Sequence, residues 1–229
     1  MPHRTEQADG VEPSRPVLYT GRFVDRKGIR ELLEAAAIVL DRSPWVRFAL
    51  AGGHRGCTGE DMSRYWMPPI CEPFRDRITF TGWCTADRLD EWYETSDVLV
   101  VPSWYEPFGM VILEGMLHGL AIVASDVGGP RAILSDGTTG LLCQARSVAS
   151  LAAALLRVVG DHDLRQLLGE RAAREVRTQW LFDNVVERMR NVYRELVPKR
   201  SASLTEPVAE PRPAGISRGQ SNAVTPRVA

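Results

Sequence analysis

Residues 98–119 read VLVVPSWYEPFGMVILEGMLHG and contain one complete strand–loop–helix unit. Val98–Val101 predicts a strand buried on both faces, because such strands are continuous apolar runs without alternating polar residues. Phe108–His118 predicts a helix that ends at Gly119, since glycine readily adopts the left-handed backbone found after helices. The loop between the two predicted elements therefore lies at the carboxyl end of a buried strand.

The same unit repeats along the chain as short apolar runs that alternate with helical patterns. The other predicted strands are Val17–Thr20, Val46–Ala51, Ile78–Thr81, Ala121–Ala124 and Gly140–Cys143. The other predicted helices are Gly28–Arg42, Thr85–Thr95, Ser147–Val159, Asp163–Thr178 and Asp183–Val197. Strands of this kind, each followed by a helix, indicate an α/β fold with a doubly wound, Rossmann-like parallel sheet. No pattern assigns residues 54–76.

The length limits the domain organisation. The chain has 229 residues, which is too few for two nucleotide-fold domains of about 150–200 residues each. We expect one domain over residues 16–180, followed by a separate helix at 181–197. Residues 1–15 and the proline-rich residues 198–229 are predicted to be disordered, because they cannot bury enough apolar surface to offset the entropy of ordering.

Composition excludes several classes of function. The 28 Lys and Arg residues against 29 Asp and Glu residues give a net charge of −1, so we expect no nucleic-acid partner. No apolar run approaches the length of a membrane span, so we expect no transmembrane segment. The four cysteines contain no C-x-x-C pair, which favours reduced thiols and a cytoplasmic location.

Two glutamates flank the start of the helix in the opening stretch. Glu106 precedes it and Glu114 lies within it, while the backbone of Phe108, Gly109 and Met110 provides the free N–H groups of a helix start. Such N–H groups bind anionic oxygen. In the alternative interpretation, Glu106 caps the helix and Glu114 is an exposed helix charge, and the spacing alone leaves both open. The later pair Gly128-Gly129 could likewise contact a ligand or turn the chain.

A second polar segment, GRFVDRKG at residues 21–28, follows the first predicted strand. Arg22 offers a planar fork to phosphate and Lys27 a mobile point charge. Alone they could be surface charges, but the carboxyl ends of parallel strands meet at one edge of the sheet, so we interpret them as a phosphate clamp beside Glu106 and Glu114. Hydroxyl groups, then phosphate, then further hydroxyl groups are the layout of a nucleotide sugar.

Four motifs in this order resemble a known family. GRFVDRKG at 21–28, FTGW at 80–83, EPFGMVILE at 106–114 and SDVGGP at 125–130 are similar to the carboxyl-terminal, donor-binding half of GT-B glycosyltransferases of family 4. The resemblance covers residues 16–197. It implies a single GT-B carboxyl-terminal domain and a retaining transfer of a hexosyl group from a nucleotide sugar, UDP-linked, without a cofactor or a metal site.

The resemblance also implies roles for individual residues. Arg22 and Lys27 would stabilise the donor diphosphate and Glu106 would hold the donor sugar, which makes these three the catalytic set. The implied donor-binding residues are Gly21, Trp83, Phe108, Gly109, Met110 and Glu114. Among them, Glu114 would accept hydrogen bonds from the ribose hydroxyls, and Trp83 would border the base.

The partners follow from the same resemblance. We expect a small-molecule or glycan acceptor, bound mainly by an amino-terminal GT-B domain that is missing from this chain or separately encoded. The alternatives are half of a split transferase and a non-catalytic module that binds nucleotide sugars. The sequence of residues 103–120 is similar, more narrowly, to that of N-acetylglucosaminyltransferases of aminoglycoside antibiotic biosynthesis. This resemblance implies transfer from UDP-GlcNAc to an aminocyclitol.

Overall fold

The computed structural model describes residues 15–196. Its strands are β1 (Val17–Gly21), β2 (Phe48–Gly52), β3 (Ile78–Gly82), β4 (Val98–Val101), β5 (Ala121–Ser125) and β6 (Leu141–Cys143). Its α-helices are α1 (Ile29–Arg42), α2 (Gly59–Trp66), α3 (Ala86–Glu94), α4 (Met110–Leu117), α5 (Gly128–Ile133), α6 (Val148–Gly160), α7 (His162–Glu175) and α8 (Phe182–Leu196). Two 3-10 segments, at Asp25–Lys27 and Pro69–Arg77, and a π-helical segment at Val176–Trp180 complete the described elements.

The strands form one parallel sheet in the order β3-β2-β1-β4-β5-β6. Val17 of β1 pairs with Phe48 of β2 on one side and with Val98 of β4 on the other. In sheets wound this way, ligands bind beyond the carboxyl ends of the strands, where the strand order reverses. That point lies here between β1 and β4. The predicted Rossmann-like α/β fold class is confirmed.

Both faces of the sheet are covered by helices. Val17 and Tyr19 face a core that includes α1 and α6, whereas Leu18 between them faces a core that includes α4 and part of α7. Because both faces are buried, β1 needs no alternation of polar and apolar residues. This explains why an unbroken apolar run predicted the strand.

Three local elements differ from the sequence prediction. Residues 54–76, which no pattern assigned, contain α2 and most of the segment Pro69–Arg77, and Thr58 caps α2 by accepting the Asp61 N–H at 3.1 Å. The prediction that α4 starts at Phe108 is wrong, because Gly109 has a left-handed φ of 100° and α4 begins after it. The pair Gly128-Gly129 begins α5.

The contacts divide the chain into two units after Arg188, within α8. The described part of the second unit, 189–196, is helical. The predicted disordered segments at 1–15 and 198–229 lie outside the described residues, apart from Arg15. Between residues 15 and 196, no helix is both long and apolar enough to cross a membrane.

The loops that follow β1 and β4 touch each other. Gly28 has a φ of 71°, and a Cβ atom added to it would lie 2.0 Å from the carbonyl oxygen of Pro102. The Trp104 N–H donates to the carbonyl oxygen of Arg26 at 2.8 Å. Any side chain at position 28 would therefore push the two loops apart.

We expect Gly28→Ala to lower the free energy of unfolding by about 3 kcal/mol, because it combines left-handed backbone strain with a clash against fixed backbone. Gly137→Ala is the matched control: its φ is 69°, and no atom lies within 4 Å of an added Cβ. The control should lose about 1 kcal/mol from strain alone. Urea unfolding measures both variants, and equal losses would contradict the close approach of the two loops.

The four cysteines should differ in reactivity. Burial raises the pKa of Cys71 and of Cys143 to about 11, whereas Cys57 and Cys84 are half-buried. Because the thiolate is the reactive species, a raised pKa leaves little of it at pH 8. With an aromatic disulfide reagent at pH 8, we expect Cys57 and Cys84 to react first, and Cys71 and Cys143 only after unfolding. Mass spectrometry of the labelled peptides measures this order, and fast labelling of Cys71 in the folded chain would contradict it.

Candidate functional site

Arg22 lies at the point where the strand order reverses, directly after Gly21 ends β1. Its side chain is exposed, and within residues 15–196 its guanidinium makes no ion pair. The Tyr19 hydroxyl donates to the Arg22 carbonyl oxygen at 2.9 Å, which fixes the backbone of the loop. The guanidinium is therefore available to an anion that enters from solvent.

Lys27 and Glu106 form an ion pair between the loop after β1 and the loop after β4. The Lys27 Nζ donates to Glu106 Oε2, and the two side chains are only 19% and 10% exposed. Removing either partner from so shielded a pair leaves an uncompensated charge, which costs about 3–5 kcal/mol. The structure thus brings Lys27, which is predicted to bind the donor phosphate, into direct contact with Glu106, which is predicted to bind the donor sugar.

Tyr19 is a buried residue of β1 that is near enough to Glu106 to be affected by its charge. Burial raises the pKa of Tyr19 far above its usual range, and the nearby Glu106 carboxylate raises it further. The phenol therefore stays protonated throughout the neutral range and continues to donate to the Arg22 carbonyl oxygen.

The loop that carries Glu106 leads into α4. Gly109 is the N-cap residue of α4, and no side chain caps the helix, so the alternative in which Glu106 caps it is wrong. The first N–H groups of α4, at Met110 and Val111, have no partner within the helix and carry its partial positive charge. A Cβ atom added to Gly109 would lie 3.6 Å from Glu106 Cγ, so the Glu106 side chain lies beside the start of α4.

The start of α5 holds the other side of this loop. The Gly129 N–H donates to the Glu106 carbonyl oxygen at 2.8 Å, and a Cβ atom added to Gly129 would lie 2.1 Å from the Phe108 carbonyl oxygen. The Gly129 N–H is therefore used to position the loop.

Glu114 is half-buried on α4, and its Oε2 accepts a hydrogen bond from the Tyr93 hydroxyl at 2.8 Å. The alternative in which Glu114 is simply an exposed helix charge is therefore wrong. Its carboxylate and that of Glu106 are both held by other side chains near the same edge of the sheet.

The side chains of Trp83, Phe108 and Met110 are exposed. Trp83 follows β3, and the guanidinium of Arg55 lies 5.8 Å from its ring centroid. Phe108 packs edge-on against Trp180 at 5.8 Å, and the Met110 side chain is 58% exposed. No hydrogen bond in the described part of the chain joins the Trp83 side chain to the other predicted ligands.

Sequence reasoning missed the partners of two aromatic side chains near the site. Tyr93 lies inside an ordinary helical pattern, and nothing in its spacing marks it as a partner of Glu114. The Trp104 Nε1 donates to Glu31 Oε1 at 2.9 Å, while the Arg146 guanidinium lies 4.3 Å from the Trp104 ring centroid. These contacts join elements that are distant in sequence, so only the packed structure shows them.

The arrangement suits an anionic ligand that also carries hydroxyl groups. One exposed guanidinium, one ammonium group and the N-terminal end of α4 provide positive charge, and two carboxylates provide hydrogen-bond acceptors. Between residues 15 and 196, no three His, Cys, Asp or Glu side chains group as ligands for a metal ion.

Comparison with known proteins shows what the chain is similar to. The family described as Glycosyl transferases group 1 matches residues 14–161. Alpha-D-kanosaminyltransferase of Streptomyces kanamyceticus is 30% identical over 187 residues, which are 82% of this chain and 47% of that protein. The chain thus spans about half the length of the curated relatives that it matches.

Solved structures with a similar fold are also found. Sucrose-phosphate synthase of Thermosynechococcus elongatus superposes with a TM-score of 0.67 and 31% identity, over 80% of this chain and 45% of that one. The Anabaena protein Alr3699/HepE, solved in complex with UDP and glucose, superposes with a TM-score of 0.66 and 22% identity, over 80% of this chain and 48% of that one. These neighbours have the GT-B fold. By its sequence match and its parallel six-stranded sheet, the chain belongs to the Glycosyl transferases group 1 family.

Proposed function

We propose that this chain is the donor-binding half of a retaining GT-B glycosyltransferase of family 4 that uses a UDP-linked sugar. The observation that carries the proposal is the joining of the loops after β1 and β4 through Lys27 and Glu106. Glu106 lies beside the start of α4, and the exposed Arg22 follows the same strand, β1, as Lys27. The nucleotide-sugar donor would place its diphosphate between Arg22 and Lys27, its sugar against Glu106 and its ribose against Glu114.

The chemistry of transfer follows from these positions. As the bond between the sugar and the diphosphate breaks, negative charge develops on the leaving phosphate. Arg22, Lys27 and the N-terminal end of α4 would stabilise that charge, and the last two are held in place before the reaction, which is electrostatic preorganisation. These groups supply the positive charge that a divalent metal supplies elsewhere, so the proposed reaction uses no metal and no cofactor.

The retaining stereochemistry is part of the proposal. It is supported by the motifs at 21–28 and 106–114, whose resemblance to family 4 implies transfer with retention of the anomeric configuration.

UDP as the nucleotide is supported by the neighbour solved with UDP and glucose. Transfer of an amino sugar is supported by the relative named as a kanosaminyltransferase. Within this proposal the donor is UDP-GlcNAc and the acceptor is an aminocyclitol of antibiotic biosynthesis, bound with the help of an amino-terminal GT-B domain. The free thiols of the described cysteines support a cytoplasmic location.

We expect Arg22→Ala to weaken UDP binding by about 10- to 100-fold, because a charge-assisted hydrogen bond contributes about 1.5–3 kcal/mol. Uridine, which lacks phosphate, should be unaffected by the change. Arg42→Ala is the matched control, since it removes the same charge from an exposed residue at the far end of α1. Isothermal titration calorimetry of the purified chain measures both variants. The same loss of UDP affinity in both would show a general charge effect and refute the phosphate role.

The two glutamates should contribute to the binding of different parts of the donor. Glu114→Ala should weaken UDP and UDP-sugar by the same factor, about 10-fold, because it removes an acceptor for the ribose. Glu106→Gln should leave UDP affinity unchanged or raised, since it removes a negative charge near the diphosphate, and should abolish the discrimination among UDP-sugars. Titrations with UDP, UDP-glucose and UDP-GlcNAc measure the difference. Identical profiles for the two variants would refute the division of roles.

A further inference from the structure

We propose that Tyr93 is a positioning residue for Glu114, and that it makes the site prefer ribonucleotide over 2′-deoxyribonucleotide ligands. The inference rests on the proposed function, in which the Glu114 carboxylate accepts hydrogen bonds from ribose hydroxyls.

Three elements meet in one hydrogen-bond chain. Thr20 lies in β1, Tyr93 on α3 and Glu114 on α4. The Tyr93 hydroxyl lies 3.0 Å from Thr20 Oγ1 and donates to Glu114 Oε2 at 2.8 Å. A phenol has one proton to donate, and the carboxylate can only accept. The Thr20 hydroxyl must therefore donate to Tyr93, so the chain runs in one direction, from Thr20 to Glu114.

The Tyr93 ring is held rigidly. It is 2% exposed and stacks on the His118 ring, with centroids 5.1 Å apart and planes inclined by 15°. His118 Nε2 lies in turn 3.3 Å from Asp90 Oδ1. Burial raises the pKa of Tyr93 well above its usual range, and the Glu114 charge adds to this although the hydrogen bond to Thr20 opposes it. The phenol therefore remains a proton donor at every pH at which the site would work.

This donor fixes the orientation of the Glu114 carboxylate. With Oε2 bound to Tyr93, Oε1 is the oxygen left for a ligand, and no second side-chain donor to this carboxylate occurs within residues 15–196. A fixed acceptor distinguishes a ligand hydroxyl from its absence better than a rotating one, because less entropy is lost when the bond forms. It also leaves a half-buried polar oxygen unpaired when the hydroxyl is missing.

The experiment compares UDP with 2′-deoxyuridine diphosphate by isothermal titration calorimetry on the full chain. We expect the unsubstituted chain to bind UDP about 10-fold more tightly than the deoxy ligand. Tyr93→Phe should weaken UDP by about 5-fold and the deoxy ligand much less, so that the ratio falls to about 2. A purely structural defect would weaken both ligands equally and leave the ratio unchanged.

Tyr19→Phe is the matched control. Tyr19 is also a buried tyrosine, and its hydroxyl donates to a backbone carbonyl at the Arg22 end of the site. Its loss should weaken both ligands by one common factor and preserve the ratio of about 10. Suppose that Glu114→Gln reduces the ratio of the UDP affinity to the deoxy-ligand affinity and that Tyr93→Phe leaves it unchanged. That result would overturn the role of Tyr93 and would leave the proposed function standing.

If Tyr93→Phe fails to fold by circular dichroism, Tyr93→Met removes the same hydroxyl and keeps a large apolar side chain at that position. A reduced ratio in that variant supports the proposal, and an unchanged ratio overturns it. If the unsubstituted chain binds neither ligand, the proposed function itself fails, and the inference fails with it.

Discussion

The close approach of Gly28 to the Pro102 carbonyl oxygen is the constraint on which the site depends. It holds the loop after β1 against the loop after β4 at the point where the strand order reverses. Lys27, which follows β1, meets Glu106, which follows β4, although the two residues are 79 positions apart.

Most polar groups of the candidate site already have hydrogen-bond partners within the protein. Glu106 is held by Lys27 through its side chain and by Gly129 through its carbonyl oxygen, and Glu114 is held by Tyr93. Arg22 differs, since its backbone is held while its guanidinium is exposed. The edge of the sheet between β1 and β4 therefore carries two carboxylates that are already held by donors and one guanidinium that is exposed to solvent.

Sequence patterns predicted the strands that are buried on both faces and the helices that have one apolar face. Every predicted strand is present, because an apolar run such as Val98–Val101 can be satisfied only inside a covered sheet. Sequence patterns did not predict the helix starts that depend on a single backbone angle or a side-chain cap. Gly109 excluded Phe108 from α4 through its left-handed φ, and α2 begins at a side-chain cap on Thr58 within a segment that has no clear periodicity. The roles of Glu106 and Glu114 stayed open for the same reason, since spacing along a chain does not show which donor each carboxylate meets.

The sequence by itself determined the fold class and the identity of the charged and polar groups at the carboxyl edge of the sheet. Arg22, Lys27 and Glu106 lie in segments that follow strands and Glu114 lies within α4, and that local placement can be read from hydrophobic periodicity. Only the tertiary structure decided which of them touch, because those contacts depend on strand order and on the backbone approach at Gly28. The contact between Tyr93 of α3 and Glu114 of α4 is decided in the same way, because no local pattern encodes that neighbour.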